Sequence, residues 1–227
     1  MTITIGEGEH LFVCGQTGSG KSYRMERLIA ARAQQSRVAI IDPKGEFWIK
    51  GAKIVDRYSK RHRVQIFRPD LDETAIPEVE QYDQFFRAIW RDGRPCTVYI
   101  DELNATLPGP QSCLRSLERM YRQGRSRRIV VWAATQRPKD IPSVAFTEST
   151  HILSFWLGWR GDAEKVESFT FKGVADQIVS LEWHHLLYCC PRRRQRLILP
   201  PNVGTDAAVT TPTPTEARPA WRRWLGL

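Results

Sequence analysis

The chain has 227 residues, 41% of them hydrophobic and 26% charged, with a formal net charge of +9. That length holds one sizeable domain or two small ones, and the composition is that of a globular protein rather than a disordered or fibrous one. No apolar run approaches the roughly 20 residues needed to cross a bilayer, no leader-like segment opens the chain, and the basic balance admits a polyanionic partner without requiring one.

In chain order, LFVC (11–14) reads as a short buried strand, followed by a glycine-rich turn and a helix from about Lys21 to Gln35. VAIID (38–42) and VQIF (64–67) read as strands. PEVEQYDQFFRAIWRDG (77–93) has helical spacing, with Val79, Tyr82, Phe86, Ile89 and Trp90 on one side and Gly93 as the stop. TVYID (97–101) is a strand, and QSCLRSLERMYRQG (111–124) is a helix with Leu114, Leu117 and Tyr121 facing inward. IVVWAAT (129–135) and ILSFWLG (152–158) are strands, and 162–171 and 174–185 are helical. LLYCC and RLIL form a late hairpin around Pro191–Arg194. Strands that are apolar throughout and alternate with helices point to an α/β protein with a mainly parallel central sheet and helices on both faces.

One folded domain is bounded at 1–200, and 201–227 is a Pro/Thr-rich, basic C-terminal tail. From Arg192 onward seven arginines stand against Asp206 and Glu216, +5 of the total +9. The closing WRRWLGL either tucks Trp221 and Trp224 onto its own domain or docks on a neighbour, a membrane surface or a capsid. Five cysteines (Cys14, Cys96, Cys113, Cys189, Cys190) show no metal-ligand spacing and read as reduced thiols.

Two segments carry chemistry. GQTGSGKS (Gly15, Gln16, Thr17, Gly18, Ser19, Gly20, Lys21, Ser22) is a complete phosphate-binding loop between a strand and a helix. Its glycines let backbone N–H groups wrap phosphates, Lys21 reaches the β- and γ-phosphates, and the Ser22 hydroxyl ligates Mg2+. The cofactors are therefore ATP and Mg2+. At the end of another buried strand, Asp101 would hold the magnesium and Glu102 would polarise the attacking water as general base. In P-loop ATPases with such an acid pair, one strand commonly separates the P-loop strand from the acidic one. IVVWAAT is the candidate for that place, which sets Gln136 at the γ-phosphate as a polar sensor. The arginines before that strand (Arg122, Arg125, Arg127, Arg128) would then be badly placed for their own nucleotide. They are either a solvated basic turn or a set presented to a neighbouring subunit.

GQTGSGKS, IIDPKGE (40–46), YIDE (99–102) and ATQRP (134–138), in that order, resemble the FtsK–HerA superfamily of DNA-pumping ATPases over about residues 8–160. The short chain is most similar to the genome-packaging ATPases of membrane-containing icosahedral double-stranded DNA viruses. The resemblance implies a RecA-like (ASCE) P-loop fold and a ring homo-oligomer, expected as a hexamer, that drives double-stranded DNA through a capsid vertex. It implies a soluble protein of the host cytoplasm or virion vertex, with capsid or membrane-associated vertex proteins as partners. By resemblance Lys21, Ser22, Asp101, Glu102 and Gln136 take the roles above, Arg125 is the first candidate for a trans-acting finger and Arg122 the second. Asp42, Lys44 and Glu46 match DPKGE, on a strand expected toward the sheet edge, and fit either a contact to a neighbour's nucleotide or a structural salt bridge. Lys60, Arg61 and Arg63, the run Arg192–Arg194 with Arg196, and the loop LNATLPGPQ (103–111) are candidate DNA contacts or plain surface turns. Two other functions compete: a HerA-like cellular translocase, and a phage assembly or secretion ATPase of the zonula occludens toxin type. A P-loop enzyme acting on a small acceptor is disfavoured by Glu102.

Overall fold

The computed structural model describes residues 3–72 and 76–201, so all of the tail except Pro201 lies outside the described residues. Nine strands form one sheet: β1 (His10–Cys14), β2 (Arg37–Ile41), β3 (Lys53–Val55), β4 (Val64–Phe67), β5 (Cys96–Ile100), β6 (Ile129–Thr135), β7 (Ser149–Phe155), β8 (Leu186–Cys190) and β9 (Gln195–Leu199). Their order is β3-β4-β2-β5-β6-β1-β7-β8-β9. The first seven positions are parallel, and β8 and β9 close the far edge as the expected antiparallel hairpin. The helices are α1 (Lys21–Gln35), α2 (Glu78–Asp92), α3 (Arg115–Gln123), α4 (Ser143–Thr147), α5 (Arg160–Glu167) and α6 (Val174–Val179). Among the described residues no helix is long and apolar enough to cross a membrane.

The central strands are apolar throughout because both faces are covered, and their period-2 alternation divides the core in two. Phe12 and Cys14 of β1 and Ile129, Val131 and Ala133 of β6 face one layer, which takes in Phe86 of α2, Leu117 of α3 and Val166 of α5. Leu11 and Val13, with Val130, Trp132 and Ala134, face the other, where Met25, Leu28 and Ile29 of α1 lie. Helices thus cover both faces, although α1 carries one of them with help from loop residues Ile5, Phe47 and Ile49.

Several expectations shift. The 53–55 strand is too short and exposed to show a pattern; with β4 it lies outside β2, which is third from that edge and so toward it, as expected. In α2 the buried stripe is Tyr82, Phe85, Phe86 and Ile89. Trp90 is only partly buried, with the guanidinium groups of Arg119 and Arg127 over its ring at 4.6 and 4.4 Å. The helix expected over 111–124 begins at Arg115, because Gln111 is left-handed (φ 57°) and donates its N–H to Asp140 O at 2.6 Å. The helix expected over 162–171 ends at Glu167, and the one expected over 174–185 ends at Val179. In both, a serine hydroxyl just past the end takes up terminal carbonyls: Ser168 that of Lys165, and Ser180 those of Asp176 and Gln177. All five cysteines are free thiols, and four are buried.

His10 opens β1 and is 4% exposed, its Nδ1 accepting the Val131 N–H at 2.8 Å. Burial pushes its imidazole from the ordinary 6.5 down to about 4. The folded value lies below the unfolded one, so protons bind the unfolded chain more readily. The stability His10 contributes is whole above about 6.5 and is lost as pH falls toward about 4. Thermal melts across that window should show a declining midpoint that flattens in His10→Asn, which keeps an acceptor for Val131 and does not titrate. Equal slopes in the two proteins would refute this origin of the decline.

Candidate functional site

Because the strands run parallel, the loops after β1, β2, β5 and β6 meet at one end of the sheet. The P-loop leaves β1 tightly: Gly15 N–H donates to Thr135 O at 3.2 Å and Gln16 N–H to Trp156 O at 3.1 Å. A Cβ on Gly15 would lie 2.6 Å from Phe155 Cβ and 2.8 Å from Ser19 Oγ, so only glycine fits. Gly18 (φ 79°) and Gly20 (φ 97°) take left-handed backbone that turns the loop into α1. The helix begins with no side-chain cap and no acidic residue in its first turn. Its leading N–H groups are open to an anion, and the helix dipole adds to the attraction. Ser19 is fully buried and its Oγ has no hydrogen-bond partner, and Lys21 is only 6% exposed. A buried cationic side chain beside open amides fits a polyphosphate.

The adjoining cleft holds about 280 Å³ and is lined by Lys21, Ser22, Lys44, Glu46, Asp101 and Gln136, among others. The structure therefore brings the P-loop, both acids and the glutamine together. Glu102 is 5% exposed; its Oε1 accepts the Gln136 N–H at 3.1 Å, and its Oε2 takes the Lys44 Nζ at 3.2 Å. Gln136 Oε1 accepts the Thr17 hydroxyl at 2.7 Å, tying the end of β6 to the P-loop. Asp101 receives the Tyr99 hydroxyl on Oδ1 at 2.7 Å. Burial, and then the Asp101 charge, hold the Tyr99 phenol well above its usual range, so it stays a donor. β6 does lie between β5 and β1, the place expected for it.

The DPKGE segment separates into distinct roles. Asp42 is completely buried and accepts from Glu46 N (3.2 Å), Phe47 N (3.1 Å) and Arg68 Nε (3.1 Å). It shapes the loop that carries Lys44 over Glu102, while Glu46 stays exposed at the cleft wall. Sequence reading did not assign Tyr99, which sits two residues before Asp101. Nor did it assign the turn at Trp183–His184, whose side chains come within 3.4 and 3.2 Å of where a Cβ on Gly18 and Gly20 would be. Only a β-strand register or a fold-level contact reveals either.

The arginines are elsewhere. Arg125 lies in the 3-10 turn Gly124–Arg127 before β6, and Arg122 in the last turn of α3, paired to Glu118 at 2.8 Å. Gln136 follows the other end of β6, seven residues long, so the two ends are separated by roughly 20 Å. Neither arginine is part of this cleft. Of the other basic candidates, Lys60 pairs with Asp92 at 3.8 Å, and Arg193 with Glu9 at 2.7 Å. In the 103–111 loop, Leu103, Thr106 and Leu107 are buried, leaving Ala105, Pro108, Pro110 and Gln111 exposed.

Residues 8–103 match the family model of the helicase HerA central domain. The chain is 25% identical over 228 residues to the DNA packaging ATPase P9 of Enterobacteria phage PRD1, covering 92% of this chain and 94% of that one. Its fold is similar to the genome packaging NTPase B204 of Sulfolobus turreted icosahedral virus 2 in complex with AMP, with a TM-score of 0.72 at 15% identity, covering 88% of this chain and 100% of that one. It is similar also to VirB4 of Thermoanaerobacter pseudethanolicus, with a TM-score of 0.67 at 12% identity, covering 88% and 91%. The fold is that of a P-loop NTPase of the RecA-like kind.

Asp42→Ala would leave two amides and the Arg68 guanidinium without their acceptor. The expected loss is about 2–4 kcal/mol, read from the urea midpoint, since hydrogen bonds to charged groups contribute about 1.5–3 kcal/mol and Arg68 is partly screened. An unchanged midpoint would show that the loop holds its shape without Asp42.

Proposed function

We propose that this chain, an ATPase of the FtsK–HerA type with its HerA-like core at residues 8–103, is the motor that drives double-stranded DNA into a preformed viral capsid. The observation that carries the reading is the setting of Glu102. Its carboxylate is buried, oriented through both oxygens by Lys44 and by the Gln136 backbone, and adjacent to Asp101. A base held this way suits activation of water, hence hydrolysis rather than transfer to a small acceptor. The likeness in length and sequence to the packaging ATPase of phage PRD1 and the fold shared with a viral packaging NTPase support the cargo.

In this reading the P-loop amides and Lys21 hold the β- and γ-phosphates. Ser22 and Asp101 hold Mg2+, which supplies charge neutralisation at the phosphoryl group, and Tyr99 orients Asp101. Glu102 accepts the proton of the attacking water. Gln136 touches both the P-loop, through Thr17, and Glu102, through its own N–H. A change at the nucleotide thus reaches the end of β6 directly. Arg125, with Arg122 as second candidate, is remote from its own cleft and fits a role at the neighbour's nucleotide in a ring of identical subunits. Arginines supplied in this way accelerate hydrolysis by about 10³–10⁵. Basic side chains on the same ring grip the DNA backbone without reading sequence, which makes binding salt-sensitive.

The test is steady-state ATP hydrolysis with and without linear double-stranded DNA at two salt concentrations. DNA should stimulate the rate, and salt should weaken the stimulation. Lys21→Ala should abolish turnover by weakening nucleotide binding. Glu102→Gln should retain nucleotide and lose roughly 10²–10⁴ in rate, the usual contribution of a positioned base. Hydrolysis indifferent to DNA would count against a translocase and in favour of an assembly or secretion ATPase.

A further inference from the structure

At the opposite end of the sheet from the P-loop, the end of α1 and the starts of β2 and β5 border a cavity of about 350 Å³. Five arginines line it, Arg32, Arg37, Arg63, Arg94 and Arg128, against a single acidic side chain, Glu7. Glu7 lies 3.6 Å from Arg128, and Arg94 pairs with Asp92 at 2.8 Å. The other three have no ion-pair partner among the described residues; their acceptors are neutral. Arg32 Nε donates to Thr97 Oγ1 (2.9 Å) and Nη2 to Glu7 O (3.0 Å). Arg37 Nη2 donates to Lys60 O (2.9 Å) and His62 O (2.8 Å), and Arg63 Nη2 to Gln34 O (2.6 Å).

Two donors remain. Arg32 is 2% exposed, yet its Nη1 has no hydrogen-bond partner, and neither has the buried Nε of Arg37. The Arg32 guanidinium carbon also lies over the Trp132 ring, 5.5 Å from its centre. A buried guanidinium with no ion pair, Glu7 acting on Arg32 only from beyond contact distance, is costly, and a buried N–H without an acceptor adds to that cost. Both are relieved by one group: a compact oxyanion that accepts several forked N–H donors.

We propose that this cavity is a phosphate-binding site, separate from the nucleotide cleft, with Arg32 and Arg37 as its inner donors and Arg63 at its exposed side. The ligand is a phosphate group, carried either by the backbone of DNA or by a small phosphate compound. The site does not depend on the proposed packaging role, because its donors are set by α1, β2 and the turn before β4 whatever the ATPase drives.

The experiment titrates inorganic phosphate into the full chain carrying Lys21→Ala, which removes the P-loop's own hold on phosphate, and follows 31P line broadening. Saturable binding is expected. It should weaken at least about tenfold when Arg37→Gln and Arg63→Gln are added, because losing even one charge-assisted hydrogen bond costs more than the roughly 1.4 kcal/mol that corresponds to tenfold. Arg63→Gln alone, at an exposed position, serves if the combined variant melts early. A short DNA duplex that displaces the bound phosphate identifies the DNA backbone as the source, and a duplex that does not identifies a small phosphate compound. Absence of saturable binding, or equal affinity with and without the arginine changes, overturns the proposal.

Discussion

Glu102 is where the ends of four strands are fastened together. The residue itself follows β5, its Oε2 takes Lys44 from the loop after β2, and its Oε1 takes the backbone of Gln136 after β6. Gln136 in turn takes Thr17 from the loop after β1. A buried carboxylate is tolerated only when its lone pairs are occupied, so these contacts are a condition of burying Glu102 at all. They also give it one orientation. The parallel sheet is what makes the arrangement possible, since it delivers four strand ends to the same side.

The loop bearing Lys44 is held by a second buried carboxylate. Asp42 has its acceptor capacity spent on two amides and Arg68, and it receives nothing from the cleft. These two buried acids thus differ in what they hold: Asp42 fixes its own loop, and Glu102 joins Lys44 to the backbone of Gln136. Lys44 is 38% exposed, so its pull on Glu102 is partly screened, and its contribution is orientation more than binding strength.

The two ends of the sheet carry different electrostatics. One end collects open amides, Lys21, Glu46, Asp101 and Glu102 around a cleft. The other collects guanidinium groups with few acids between them, Arg32, Arg37, Arg63, Arg94 and Arg128 around a cavity and Arg125 nearby against Gly8. At the second end Arg94 and Arg128 have acidic partners, whereas Arg32, Arg37 and Arg63 donate only to neutral oxygens among the described residues.

Much of this was legible along the chain because it depends on local spacing. The P-loop needs glycines at set positions between a strand and a helix. The acid pair needs only an apolar run before it, and the position of β6 follows from the pairing of those two signals. Continuous apolar runs located the main strands, since both faces of the sheet are buried, and period-3.6 spacing located α2. One edge strand escaped: β3 has three exposed or half-exposed residues and no pattern to read. Helix ends were misjudged where Ser168 and Ser180 take up carbonyls, a competition that periodicity does not register. The chain by itself therefore determined the phosphate loop, the acids and the sheet that joins them, because residue type and short-range spacing are enough to specify them. Only the tertiary structure decided that Lys44 holds Glu102, that Asp42 serves the backbone, and that Arg32, Arg37 and Arg63 converge. Those contacts join residues about 30 to 60 positions apart, and which side chains meet is set by strand order and register, not by any pattern within one segment.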